Sequence, residues 1–420
     1  MADVRTFVAS VLIGASLGFA AWSDFAPLAV NSAAGAPNPH WNSGGRRMVR
    51  LNGTTLALAP TSGGGDRIWR STNNGTAWTQ IDTDGAFSGS LVSGPDSMVY
   101  HFYIDRGADA IYMVRFKYNA ATIPAPETVY SNAALGNSSV ITEYGALNAT
   151  VDSNGVLYVA SHWGSTDQIY LMRSQDAGTT WQGPFAISNN ASVIWNYMHL
   201  EVNGRNELLC TYHQHGGSTD LQMFARSTDM GTNWTTVQMH TRTAGGQYTA
   251  NPAMLTAGLD TVYVFVQAEL SVPGVFVTRS VDRGSTWGPF VLIERTCGYG
   301  DPSAGLGSDG RVYVAFRSSL NTGASGTCGD MSREKLSVSS DGGATWNAVD
   351  SLYNASRTGT RSQVRYQTFW NYGGPLEWIW MQYETSGGIP VYYDMNPDVR
   401  ILESGAHSEP SRRPAGARAK

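Results

Sequence analysis

One eight-residue turn is written five times along this chain: STNNGTAW (71–78), SQDAGTTW (174–181), STDMGTNW (227–234), SVDRGSTW (280–287) and SSDGGATW (339–346). The starts are 103, 53, 53 and 59 residues apart. The period is therefore about 50 residues, with two units inside the first interval. The member without a turn falls at AIYMVRFKYNAATIPAPE (110–127), and a further unit fits after 339, with PVYYDMNPD (390–398) in the corresponding place. Seven units follow, at 44–85, 86–133, 134–189, 190–243, 244–296, 297–352 and 353–403.

Each unit has the same internal order. An apolar strand such as GVLYVASHW or TVYVFVQAE comes first, then an alternating strand such as QIYLMRS or LQMFARS. The turn, its Trp and a short outer strand such as GPFVLIE complete the unit. Period-two alternation between Gly, Asp and Ser turns is the signature of strands. About 50 residues with four strands is what one propeller blade needs. Composition agrees: 47 Gly, 13 Trp and 20 Tyr with only 15% charged residues suit many short strands joined by tight turns. The expected fold is all-β, a seven-bladed β-propeller of four-stranded antiparallel blades, with six blades as the alternative. In the turn, a short Asp or Asn side chain bonds nearby amides and Gly supplies positive φ. The Trp then folds back between neighbouring sheets. The turn is a clasp at the outer edge of a blade, and its aspartates are structural. Asn73 makes the first turn without a charge. Arg70, Arg173, Arg226 and Arg279, each preceding a turn serine, read as repeat-encoded surface residues.

The domain reading is an N-terminal arm or signal-like segment (1–43), the propeller (44–403) and a disordered tail (404–420) without apolar periodicity. FVASVLIGASLGFAA (7–21) has the length of a signal-peptide core, although MADVR before it is a poor positive region. A retained arm stays open beside the expected secreted or surface location. The stretch is too short for a membrane span. A net charge of −5 gives no support to nucleic-acid binding. Three cysteines make no disulfide framework. Cys210, in NELLCTY, reads as a buried small hydrophobe, while Cys297 and Cys328 could pair on export. No feature calls for a cofactor or a metal.

These turns are the Asp-box, or BNR, motif, and residues 44–403 resemble the sialidase-like Asp-box propeller superfamily. That resemblance implies a glycan ligand. In sialidases it implies three arginines that clamp a carboxylate, a Tyr–Glu nucleophile and an Asp acid/base. GGRRMVRLNGTTLALA (44–59) offers Arg46 or Arg47 as the first arginine, and SGGGDRIWRS (62–71) offers Asp66 as the acid/base. MSREKLSVSSDGGATW (331–346) offers Arg333 as the third arginine, and SQVRYQTFWN (362–371) offers Tyr366 as the nucleophile. Fixed guanidinium forks suit a sugar carboxylate. The second arginine has no counterpart, because TVYVFVQAE ends in Gln267 and Glu269 and Arg317 shares a unit with Arg333. Sialidases also have six blades, against seven units counted here.

A rival set is visible. His162 and His215 each stand twelve residues before their box serine, in HWGSTD and HQHGGSTD. The spacing equates them in adjacent units, with Tyr212, Tyr197 and His199 nearby. Imidazoles suit proton abstraction near neutral pH. The set resembles seven-bladed polysaccharide lyases, which eliminate across a uronate. A third reading is non-catalytic: a glycan-binding or virion or cell-surface structural module. Hydrolysis of sialic-acid-type glycosides leads these expectations.

Overall fold

The computed structural model describes residues 46–60, 66–82, 87–105, 107–131, 147–163, 166–188, 194–215, 219–243, 250–270, 272–296, 302–319, 332–351, 375–381 and 391–400. These form six four-stranded antiparallel sheets, each built from four consecutive strands. Blade 1 holds β1 (Met48–Leu51), β2 (Thr54–Pro60), β3 (Asp66–Ser71) and β4 (Thr79–Gln80). Blade 2 holds β5 (Phe87–Ser93), β6 (Met98–Asp105), β7 (Ala110–Lys117) and β8 (Glu127–Ser131). Blade 3 holds β9 (Leu147–Val151), β10 (Leu157–Trp163), β11 (Gln168–Ser174) and β12 (Gln182–Ala186). Blade 4 holds β13 (Ile194–Val202), β14 (Leu208–His215), β15 (Thr219–Ser227) and β16 (Thr235–Thr243). Blade 5 holds β17 (Ala250–Ala257), β18 (Thr261–Glu269), β19 (Pro273–Ser280) and β20 (Val291–Arg295). Blade 6 holds β21 (Ser303–Leu306), β22 (Val312–Ser319), β23 (Ser332–Ser339) and β24 (Asn347–Ser351).

The first strands touch one another from blade to blade and so lie innermost. The fourth strands form the outer rim, half-buried to exposed. This is a six-bladed propeller, the alternative in the sequence reading. The unit expected at 353–403 contributes a two-stranded sheet among the described residues, β25 (Pro375–Met381) with β26 (Val391–Arg400). No helix among the described residues is long and apolar enough to cross a membrane.

The core lies between blades. Leu157 and Val159 pack with Phe102 and Met113 of blade 2, whereas Tyr158 and Ala160, pointing the other way, pack with Leu200 and Tyr212 of blade 4. Alternate residues of one strand thus serve two different cores, which is why the second strands are apolar almost throughout. Leu209 and Phe224 continue the series into blade 5, and Phe265 and Val277 into blade 6. Each fully buried Leu, Val or Phe contributes about 1.5–3 kcal/mol. Cys210 is one of these core residues, fully buried as expected.

The clasps fold as the sequence predicts, with one addition. Ser280 Oγ accepts from Gly284 N at 2.7 Å and donates to Asp282 Oδ1 at 2.7 Å. Asp282 Oδ1 also accepts from Thr286 N, and Oδ2 accepts from Thr286 Oγ1. The residue before each glycine is left-handed too: Ala177, Met230 and Arg283 have φ of 56°, 58° and 62°. Asn73 substitutes for aspartate with its amide oxygen, accepting from Ser71 Oγ and Ala77 N.

The arginines preceding the clasps are more than surface residues. Arg70 donates to Ala120 O, Arg173 to Met230 O, Arg226 to Arg283 O and Arg279 to Gly342 O, each in the next blade. Blade 2 has lost its clasp, yet Arg115 keeps the habit and donates to Ala177 O of blade 3.

Candidate functional site at the hairpin face

The clasps join third to fourth strands, so the hairpins joining second to third strands sit at the opposite end of every blade. Antiparallel pairing brings the start of each first strand to that same end. The sequence candidates fall there or next to it. Arg46 and Arg47 precede β1, Asp66 opens β3 opposite Pro60, and Arg333 pairs with Ser318. His162 pairs with Ile169, His215 closes β14 opposite Asp220, and Tyr212 pairs with Met223. Tyr366 and the side chains of Asp66, Tyr197, His215 and Arg333 lie outside the described residues.

At the axis, one register position of the innermost strands carries Arg47, Ser90, Asn148, His199, Ala253 and Ser303 in blades 1 to 6. All are buried. Asn148 Nδ2 donates to Met198 O of the next blade at 3.0 Å, and Ser90 Oγ accepts from Ala149 N at 3.3 Å. Met254 N of blade 5 donates to His199 Nδ1 at 3.0 Å. Because Nδ1 accepts, the ring proton sits on Nε2, which donates to Glu201 Oε1 at 2.9 Å. Arg46 reaches from blade 1 to blade 4 and donates to Glu201 Oε2 at 2.5 Å. The Glu201 carboxylate is fully buried and the Arg46 side chain is 13% exposed. The guanidinium offered by sequence as a substrate clamp is thus already ion-paired across the axis. Sequence reasoning selected Arg46 and His199 but missed Glu201. The lone carboxylate in the strand IWNYMHLEV (194–202) was the available signal.

Further out, strand register corrects the histidine alignment. Counting from the paired box serine, His162 of β10 corresponds to His213 of β14, not to His215, because the blade 4 hairpin is two residues longer. The next blade carries Gln267 at the same position. His162, His213 and Gln267 are 4%, 1% and 7% exposed. His162 Nε2 lies 3.8 Å from Asp167 Oδ1, on a left-handed turn residue with φ 49°. Beside it, Trp163 donates to Ser161 Oγ, and its indole stacks on Tyr130 at 4.6 Å and meets Tyr170 tilted at 4.2 Å. Gln222, opposite His213, donates to Thr211 Oγ1 and Tyr212 O. Tyr212 belongs to the core between blades 3 and 4, where burial, with a smaller contribution from Cys210, pushes its phenol well above the usual range. Among the described residues no group of three or more His, Cys, Asp or Glu could hold a metal ion.

No curated protein matches this sequence. Among solved structures, an ulvan lyase of polysaccharide lyase family PL25, bound to -[GlcA(1-4)Rha3S]-, superposes with a TM-score of 0.55. The two share 11% identity over 92% of this chain and 97% of that one. The polysaccharide lyase Uly1 gives 0.51 at 11% identity, over 88% and 92%. A protein of unknown function from Dyadobacter fermentans gives 0.50 at 13% identity, over 75% and 94%. At such identities the likeness is one of fold. The BNR repeat-like domain model matches residues 133–377, more than half of the sequence. With the clasps, the blades and this match in agreement, the chain belongs to the BNR repeat-like domain family.

Proposed function

We propose that the protein acts on an acidic glycan held at the hairpin face, and that the reaction is β-elimination within a uronate-containing polysaccharide. The carrying observation is the pair His162 and His213, at one register position on adjacent blades. In such an elimination a base takes the C5 proton, the electron pair forms the C4–C5 double bond, and the O4 leaving group departs with a proton. His162 is the base in this reading. The Asp167 carboxylate at 3.8 Å stabilises the imidazolium that proton abstraction creates. His213 and Gln267 are the neighbouring groups that position the uronate. Their burial keeps bulk water from the imidazoles. Two neighbours of similar fold being polysaccharide lyases adds support. Such polymers lie outside cells, so the reading carries secretion or surface display with it.

The test is incubation with uronate polysaccharides while the ultraviolet absorbance of the unsaturated product is followed. His162→Ala is expected to abolish product and His213→Ala to reduce it strongly. Undiminished turnover in His162→Ala would remove the assignment. Saturable polysaccharide binding with no product from the wild type would instead make the protein a binding module.

Sialidase-type hydrolysis is the second reading. It is favoured by the common hairpin-face location of Arg46, Arg47, Asp66 and Arg333 along the strands, with Tyr366 as nucleophile. The Arg46–Glu201 pair weighs against it. Turnover of a fluorogenic sialoside, lost in Tyr366→Phe, would reverse the order of the two.

A further inference from the structure

Asparagine followed by glycine occurs four times in the chain, at 52–53, 74–75, 154–155 and 203–204. The pair has a chemistry of its own. A deprotonated glycine amide can attack the asparagine side-chain carbonyl, because a residue without Cβ leaves the approach open. Whether it does so depends on what holds the two groups, and the four pairs are held differently.

Three are restrained. In the first clasp, Gly75 N donates to Ser71 Oγ at 2.9 Å, and Asn74 Oδ1 accepts from Arg50. In the turn between β9 and β10, Gly155 N donates to Asp152 O at 3.0 Å. Asn203 is buried, its amide nitrogen donating to Glu207 Oε2 and its oxygen accepting from Arg205 N and Glu207 N. In each pair the attacking nitrogen or the attacked carbonyl already has a partner.

The fourth pair is not restrained. Asn52 and Gly53 make up the two-residue turn that joins β1 to β2, between the paired residues Leu51 and Thr54. Their φ values of 49° and 79° are those of a type I′ hairpin turn. Both residues are exposed. Neither the Asn52 side chain nor Gly53 N has a hydrogen-bond partner among the described residues. No heavy atom beyond the adjacent residues lies within 4 Å of where a Gly53 Cβ would stand, so the turn has room to rotate.

We propose that Asn52 is a site of spontaneous covalent modification, closing on Gly53 N to a succinimide that opens to aspartate and isoaspartate. Gly53 N gives up its proton and bonds to Asn52 Cγ. The bond from Cγ to the side-chain nitrogen breaks, and ammonia departs with that proton. Water then opens the ring. Attack at Cγ leaves aspartate, and attack at the main-chain carbonyl leaves isoaspartate. The two products differ in what they do to the fold. Asp-Gly is itself a type I′ sequence, so the aspartate form keeps the hairpin. Isoaspartate adds a carbon to the main chain, and a two-residue loop then no longer fits the Leu51–Thr54 pairing. The strand hooked by this turn, β1, is only four residues long, and Arg46 just before it crosses to Glu201. Isoaspartate at 52 therefore loosens the strand that carries the axial arginine. The site stands apart from the histidines and is independent of the glycan reading.

The experiment is incubation of the full chain at mildly alkaline pH, followed by peptide mapping and by labelling with an isoaspartyl methyltransferase. Loss of Asn52 and methyl label confined to the peptide that contains it are expected. The same chain unfolded in urea should convert at all four pairs. The Asn52→Asp variant should melt with the fresh wild type, and the isoaspartate fraction of the aged wild type should melt below both. Persistence of Asn52 in the folded chain while the unfolded chain converts, or conversion of Asn74, Asn154 or Asn203 ahead of it, would overturn the assignment. An isoaspartate fraction that melts with Asn52→Asp would overturn its link to the axial strand.

Discussion

Replacing Glu201 by Gln is the sharpest test of the axial network. The side chain keeps its shape but offers one acceptor oxygen where two donors converge. Arg46 donates to one carboxylate oxygen and His199 Nε2 to the other. His199 cannot turn its proton around without losing the bond from Met254 N. The glutamine NH2 must therefore face an N–H, and the guanidinium loses its counter-ion in a site where Glu201 is fully buried. Breaking a buried pair on one side costs about 3–5 kcal/mol. With an unfolding entropy of about 2.1 cal/mol/K per residue over the 264 described residues, that corresponds to a fall in Tm of about 5–9 °C. Differential scanning calorimetry reads it directly. The double variant Arg46→Met with Glu201→Leu removes both charges and should recover a large part of the loss, since apolar replacement of a whole buried pair is often neutral. A Tm within 1 °C of wild type (about 0.6 kcal/mol on the same scale) for Glu201→Gln, or strict additivity in the double variant, would refute the reasoning.

Three other outcomes are expected. Hydrogen bonds from the clasp threonine and serine hold Asp176, Asp282 and Asp341 at a pKa of about 2, below the ordinary 3.8. Carboxylates depressed in the folded state add stability above their unfolded pKa and lose it as pH falls through the folded one. The melting temperature should thus drop between about pH 4 and pH 2, while Asp282→Asn flattens that slope and a pH-independent profile in the wild type would contradict the clasp chemistry. Gly284→Ala should lower the urea midpoint, because φ is +81° and a Cβ would lie 2.0 Å from the Phe224 ring. Overpacking of this kind costs about 1–3 kcal/mol, and an unchanged midpoint would show that Phe224 yields freely. Loss of unsaturated product in His162→Ala completes the set.

The blade grammar was legible because each clasp needs the same side chains in the same order: a hydroxyl, an acceptor, a left-handed glycine and a wedge. Five copies at a fixed period give the architecture. The number of blades was less legible. PVYYDMNPD (390–398) carries the strand signal without a clasp, and among the described residues its unit yields only β25 and β26. The arginine links were visible as the repeated dipeptide Arg-Ser, but their direction toward the next blade belongs to packing rather than to local pattern. The histidine equivalence failed for a geometric reason. Counting along the third strand passes through a hairpin whose length varies, whereas ladder pairing does not. The axial ring was hidden altogether, since its members, Arg, Ser, Asn and His among them, share a position and no chemistry.

The arginine links all run one way, from an earlier blade to the loop between the third and fourth strands of the one that follows. A chain emerging from the ribosome makes its N-terminal segments first. Every new blade therefore meets a donor that is already in place, and none has to wait for a partner still unmade. The direction of these links therefore matches the order of synthesis, each earlier sheet presenting its donor to the next.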